Sequence, residues 1–144
     1  MSKKHVKYHT VQTTVGAIIT QPERNLIRVL LTRRGIPPYR GKWCLPGGHI
    51  EKSEPARDAI IREVKEEVGV DFDASFFGYF DEIIPKDDIH AVVLIFDGEF
   101  RGDFQAQVGE ITEMNWFSRE EIKRLKLAFQ HNMILEKYFE AQKP

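Results

Sequence analysis

Residues 48–70, GHIEKSEPARDAIIREVKEEVGV, decide how the rest of the chain is read. Residues 53–68 carry the pattern of one amphipathic helix. Ser53 is the expected N-cap, and Pro55 falls in the first turn, where a missing N–H costs nothing. Glu54 stands near the helix N-terminus, the favourable end for negative charge. Gly69 follows the last apolar position as the expected C-cap. At about 100° per residue, Ile60, Ile61, Val64 and Val68 form one stripe. Glu63, Glu66 and Glu67 fall together on the neighbouring face, at i, i+3 and i+4. Like charges at that spacing destabilise a helix by about 0.2–0.5 kcal/mol per pair. Three things can offset the repulsion: solvent on an open acidic face, the flanking Arg62 and Lys65, or a hard divalent cation.

The preceding residues weigh towards the cation. Trp43-Cys44-Leu45-Pro46-Gly47-Gly48 is a short apolar segment broken by Pro-Gly-Gly, which predicts a tight loop against the helix start. Glycines let backbone carbonyls approach a metal closely. A loop carbonyl with helix carboxylates makes an open oxygen site that leaves room for phosphate and water.

The whole segment resembles the Nudix box, G-x5-E-x7-R-E-U-x-E-E-x-G-U, where U is aliphatic. Gly48, Glu54, Arg62, Glu63, Val64, Glu66, Glu67, Gly69 and Val70 match it at every defined position. The resemblance implies an α/β/α sandwich with a mixed β-sheet. It also implies hydrolysis of a nucleoside diphosphate linked to a further group, with Mg²⁺ or Mn²⁺ as cofactor. Glu63, Glu66 and Glu67 would then be metal ligands, and the Gly48 carbonyl would complete part of the shell. Glu63 or Glu67 would also influence the attacking water. Glu54 and Arg62 lie about two turns apart on a similar face, so they can pair and hold Glu63 in orientation.

Composition is consistent with one soluble domain, 1–144. The chain has 144 residues, 42% hydrophobic and 30% charged, which is ordinary for a globular protein. A formal net charge of −1 gives no electrostatic case for a nucleic-acid or membrane partner. One cysteine, Cys44, excludes an intramolecular disulfide and a thiolate zinc site, and fits a reducing, cytoplasmic setting. Cys44 reads as buried filler, since no base partner is evident. The basic start, MSKKHVKYHT, is followed by no apolar region of useful length, so no signal peptide is expected. The longest apolar run, 91–96, is too short to span a bilayer.

Around the helix, 13–20 (TTVGAIIT) and 26–32 (LIRVLLT) read as strands, the second central. Residues 33–42 (RRGIPPYRGK) read as a long loop. Its Arg33, Arg34 and Arg40 are either solvated or turned to a phosphate, and are the candidate substrate-binding residues. Residues 75–84 and 90–96 read as strands, 100–109 as a loop with a short edge strand possible, and 111–117 as a half-buried strand. Ser118 caps a short helix over 119–125, with Glu121 completing a capping box. A final helix over 128–141 would bury Phe129, Met133, Ile134 and Tyr138. The order is β-β-α-β-β-β-α-α.

Outside the box, the resemblance calls for a further carboxylate in the loop before the penultimate strand. Glu110 fits that place as general base or second-metal ligand, with Glu113 the alternative; an ordinary loop glutamate is the plain reading. Trp116 reads as core and His90 as a surface histidine. Pro85, the loop GIPPYRGKWCLPGG and the tail LAFQHNMILEKYF resemble ADP-ribose pyrophosphatase-like members of the family. The small-molecule partner is therefore expected to be a nucleoside diphosphate sugar, ADP-ribose first, with nucleoside triphosphates as the rival. The same resemblance implies a homodimer, with 7–12 as a candidate interface. A transcriptional sensor would carry a further DNA-binding domain, and a non-catalytic binding module would usually lack box glutamates.

Overall fold

The computed structural model describes residues 10–106 and 109–142. Its centre is β1 (Gln12–Glu23), whose β-branched run alternates between two faces of a sheet. Val15, Ala17 and Ile19 enter one core with the box helix, α1 (Ala56–Val68). Ile18 points the other way, into a second core with the C-terminal helix, α3 (His131–Ala141). β2 (Leu26–Arg34) repeats the division, with Leu30 on the α1 side and Val29 and Leu31 on the other. The result is the expected mixed α/β sandwich.

β1 runs parallel to β7 (Ile89–Gly98) and antiparallel to β2. β7 pairs in turn with β6 (Ser75–Ile84), the outermost strand of the path that starts at β3 (Trp43–Cys44). β4 (Gly47–His49) pairs with β1, and β9 (Ile111–Ser118) with β2. A separate two-stranded sheet joins β5 (Asp71–Phe72) to β8 (Phe100–Arg101).

Several expectations are corrected. Ser53 is not the N-cap: it takes a left-handed φ of 68°, whereas a cap residue is extended. Pro55 holds the cap position at φ −64°, and the Ala59 N–H donates to its carbonyl at 3.0 Å. The Pro-Gly-Gly segment is partly strand, because Gly47 and Gly48 lie opposite Gly16 and Val15 on β1. The last helix starts at His131, three residues late. Asn132 takes the Leu127 N–H at 2.8 Å and donates to the Leu125 carbonyl at 2.9 Å, so 124–130 form a turn. Phe129 is therefore off the helix, and Met133 is exposed. α2 (Arg119–Lys123) is shorter than expected, but its capping box forms: Ser118 Oγ accepts from Glu121 N–H, and Glu121 Oε1 accepts from Ser118 N–H. Gly69 C-caps α1 at φ 81°. Cys44 and Trp116 are core, at 4% exposure and in partly buried contact with Phe100 and Phe104 respectively. Of the candidate interface at 7–12, residues 7–9 lie outside the described residues, and Gln12 opens β1.

Candidate active site

The site is built where α1 meets β4. A Cβ on Gly47 would stand 2.1 Å from the Val15 carbonyl oxygen, and one on Gly48 would stand 2.5 Å from the Glu63 carboxyl carbon. Glycine at 47 lets this strand lie against β1, and glycine at 48 leaves the Glu63 carboxylate in place. Glu67, one turn beyond Glu63, turns into the same gap and accepts the Gly47 N–H at 2.9 Å.

Arg62 ties the acidic side chains together. Its Nε donates to Glu54 Oε2 at 2.7 Å, and Nη2 to Glu54 Oε1 at 3.1 Å and the His49 carbonyl at 3.1 Å. Nη1 donates to Glu63 Oε1 at 2.9 Å and Glu66 Oε2 at 3.2 Å. A planar five-donor fork suits this bridging, which lysine would not reproduce. The guanidinium holds Glu54 below the usual carboxylate range, and Glu54 in turn raises Arg62.

Glu63 and Glu67 behave differently. Burial raises Glu63 despite Arg62. Glu67 is pushed up to about 8, first by burial and then by the Glu63 charge; the Gly47 N–H offsets only part of this. The gap is thus short of positive charge.

That shortage, with a donor set of carboxylate and carbonyl oxygens, fits a hard divalent cation. Among the described residues, no three acidic, histidine or cysteine side chains converge on one point as they stand. Glu66 leans to Arg62 with its side chain 59% exposed, and would have to rotate away from the arginine to join Glu63 and Glu67.

The gap opens into a cleft of about 1120 Å³ lined by β1, β4, α1, β6 and β7. Glu110 lines it and adds its charge to those raising Glu63 and Glu67, while its carbonyl accepts the Gly35 N–H at 2.9 Å. Glu113 faces Arg33 instead, at 2.9 Å. Arg33 and Arg34 lie at the end of β2 and not in the expected loop, because both pair with β9. Of the three candidate arginines, Arg34 reaches the cleft, with its guanidinium 5.0 Å from the Phe129 ring centre. Arg33 is held by Glu113 and the Gly41 carbonyl, and Arg40 is exposed outside the lining. His90 is exposed and Pro85 opens a 3-10 turn, Pro85–Asp87; both border the cleft.

The cleft also contains Glu82, Phe129 and His131, which sequence reasoning missed. They come from β6, the turn before α3 and the first residue of α3. No spacing rule links those segments; only the sheet brings them together.

Comparison with known proteins bears on the fold and the family. The chain is 30% identical over 142 residues to an ADP-ribose pyrophosphatase of Methanocaldococcus jannaschii, covering 94% of this chain and 78% of that protein. It is 28% identical over 126 residues to the nucleoside triphosphatase NudI of an Enterobacter species, covering 81% and 88%. Two other curated relatives are much longer, and the match spans only 20% and 8% of their length. The fold superposes on the NUDIX domain of Shewanella oneidensis NrtR, solved with ADP ribose, at a TM-score of 0.83 and 21% identity, covering 99% and 94%. The NUDIX domain family model matches residues 10–138. An intact box, a carboxylate-lined cleft and a match over nearly the whole chain make this protein a Nudix hydrolase, a member of the NUDIX domain family.

Proposed function

We propose that the protein hydrolyses the pyrophosphate bond of a nucleoside diphosphate sugar, ADP-ribose or a close relative, to a nucleoside monophosphate and a sugar phosphate. The observation that carries the reaction is the buried carboxylate of Glu67 beside the half-buried Glu63, set against Gly47–Gly48 at the edge of a large cleft. Glu63, Glu66, Glu67 and the Gly48 carbonyl would hold Mg²⁺ or Mn²⁺. When bound, such an ion neutralises phosphate charge and acidifies a water. Arg62 keeps Glu63 in place, and Glu54 fixes Arg62 from behind. Glu67 or Glu110 takes the proton from the attacking water. Arg34 is the cleft arginine available to a phosphate or sugar hydroxyl.

Likeness to the M. jannaschii ADP-ribose pyrophosphatase over most of both chains supports the sugar nucleotide. A second reading, release of pyrophosphate from a nucleoside triphosphate, is favoured by the likeness to NudI. We assign the protein to the cytoplasm as a homodimer; no helix among the described residues is long and apolar enough to cross a membrane.

The test is a product analysis with Mg²⁺ and Mn²⁺ over ADP-ribose, ADP-glucose, GDP-mannose, UDP-glucose and the triphosphates. AMP with ribose phosphate from ADP-ribose is the expected result. A much higher kcat/KM for pyrophosphate release from a triphosphate would replace the first reading with the second.

A further inference from the structure

The cleft holds a second buried carboxylate, away from the box, that the phosphate chemistry does not use. Glu82 is 6% exposed on β6 and lines the cavity with His131. Burial raises its pKa and the Gln130 backbone N–H lowers it, yet Oε2 has no hydrogen-bond partner among the described residues. His131 Nε2 stands 4.0 Å from that oxygen, beyond hydrogen-bond reach. His131 Nδ1 accepts the Leu45 N–H at 3.0 Å, and burial drives the ring's pKa down to about 3. The ring is therefore neutral, with its proton on Nε2. An acceptor and a donor face each other across a gap too wide for a direct hydrogen bond.

Buried polar atoms are seldom left without partners, and this pair lacks a group that donates to one side and accepts from the other. Phosphate is the wrong group, since it brings acceptors and negative charge to a carboxylate. A sugar hydroxyl or the edge of a nucleobase is the right one. The Phe129 ring adds an apolar wall, 5.4 Å from the His131 ring and 4.9 Å from that of Tyr39. Rotation about the last carboxylate bond is soft, so either Glu82 oxygen can turn to the ligand.

We infer that Glu82 and His131 form the end of the cleft that reads the nucleoside, Glu82 accepting from a ribose hydroxyl or base N–H and His131 Nε2–H donating to that same hydroxyl or to the neighbouring ring nitrogen or carbonyl of the base. This rests on the nucleotide reading above but not on which group follows the diphosphate.

Calorimetric titration of AMP, 2′-deoxyAMP, GMP and IMP into wild type, Glu82→Gln and Glu82→Asp tests it. A nucleoside monophosphate is common to both candidate reactions. Glu82→Gln should weaken the tightest wild-type ligand at least about tenfold. Its melting temperature should hold or rise, because a buried charge is removed. Glu82→Asp withdraws the carboxylate and should weaken binding too. If the variants lose the preference between AMP and 2′-deoxyAMP, the contact is the hydroxyl; if they lose it among AMP, GMP and IMP, the contact is the base. Unchanged affinity in both variants, or a wild type that binds none of the four, overturns the inference. A wild type that binds AMP through Glu82 but leaves ADP-ribose intact overturns the substrate reading alone.

Discussion

Glu67 is 9% exposed, accepts the Gly47 N–H, and faces the charges of Glu63 and Glu110. Its pKa of about 8 in the folded protein stands above the ordinary 4.5, so between those values the folded state keeps a proton that the unfolded state has lost. The stability it contributes is fully present below pH 4.5 and is lost as the pH rises through about 8. Glutamine in its place does not titrate. In chelator, Glu67→Gln should therefore gain on wild type as pH rises from 5 to 8, by on the order of a few kcal/mol at roughly 1.4 kcal/mol per unit. Denaturant unfolding at the two pH values checks this, and added Mg²⁺ should narrow the gap by stabilising only wild type. The three glutamates were legible from helix spacing and the box pattern. Glu82 and His131 were not, since each is an ordinary residue until β6 and the start of α3 bring them together.

At the scale of elements, β4 is the tight fit, and its two glycines fail in different ways. Alanine at 47 meets the Val15 carbonyl, which is backbone and cannot yield. Gly47→Ala should destabilise the fold by at least about 1–3 kcal/mol, as overpacking does. Alanine at 48 meets only the Glu63 carboxylate, the far end of a flexible side chain. Gly48→Ala should melt near wild type but lose at least about tenfold in kcat through a misplaced Glu63. Thermal unfolding and kinetics on the two variants separate these outcomes; equal effects on stability would mean that β4 is slacker than drawn. Sequence reading located β1, β2, β6, β7 and β9 because alternation or an apolar run marks each. It took β4 for loop, because three residues with two glycines carry no alternation. It started the last helix early because the Asn132 bonds that hold the turn cannot be seen in hydrophobic spacing.

For the whole molecule, the sandwich follows from β1, which sends Val15, Ala17 and Ile19 to α1 and Ile18 to α3. The edge strand β6 leaves Phe76, Tyr79 and Ile83 exposed, so an association through this edge would cover apolar surface. Light scattering at micromolar concentration should give twice the 16.8 kDa chain mass; a monomer mass alone would remove the dimer from the account. The central claim is that the α1 carboxylates against β4 drive metal-dependent hydrolysis. It is tested most directly by the initial rate of AMP release from ADP-ribose, with Mg²⁺ and with chelator, in wild type, Glu63→Gln and Glu67→Gln. The account predicts no release in chelator and a loss of at least about a hundredfold in each variant with Mg²⁺. Both variants turning over at the wild-type rate, or wild type doing so in chelator, would contradict it.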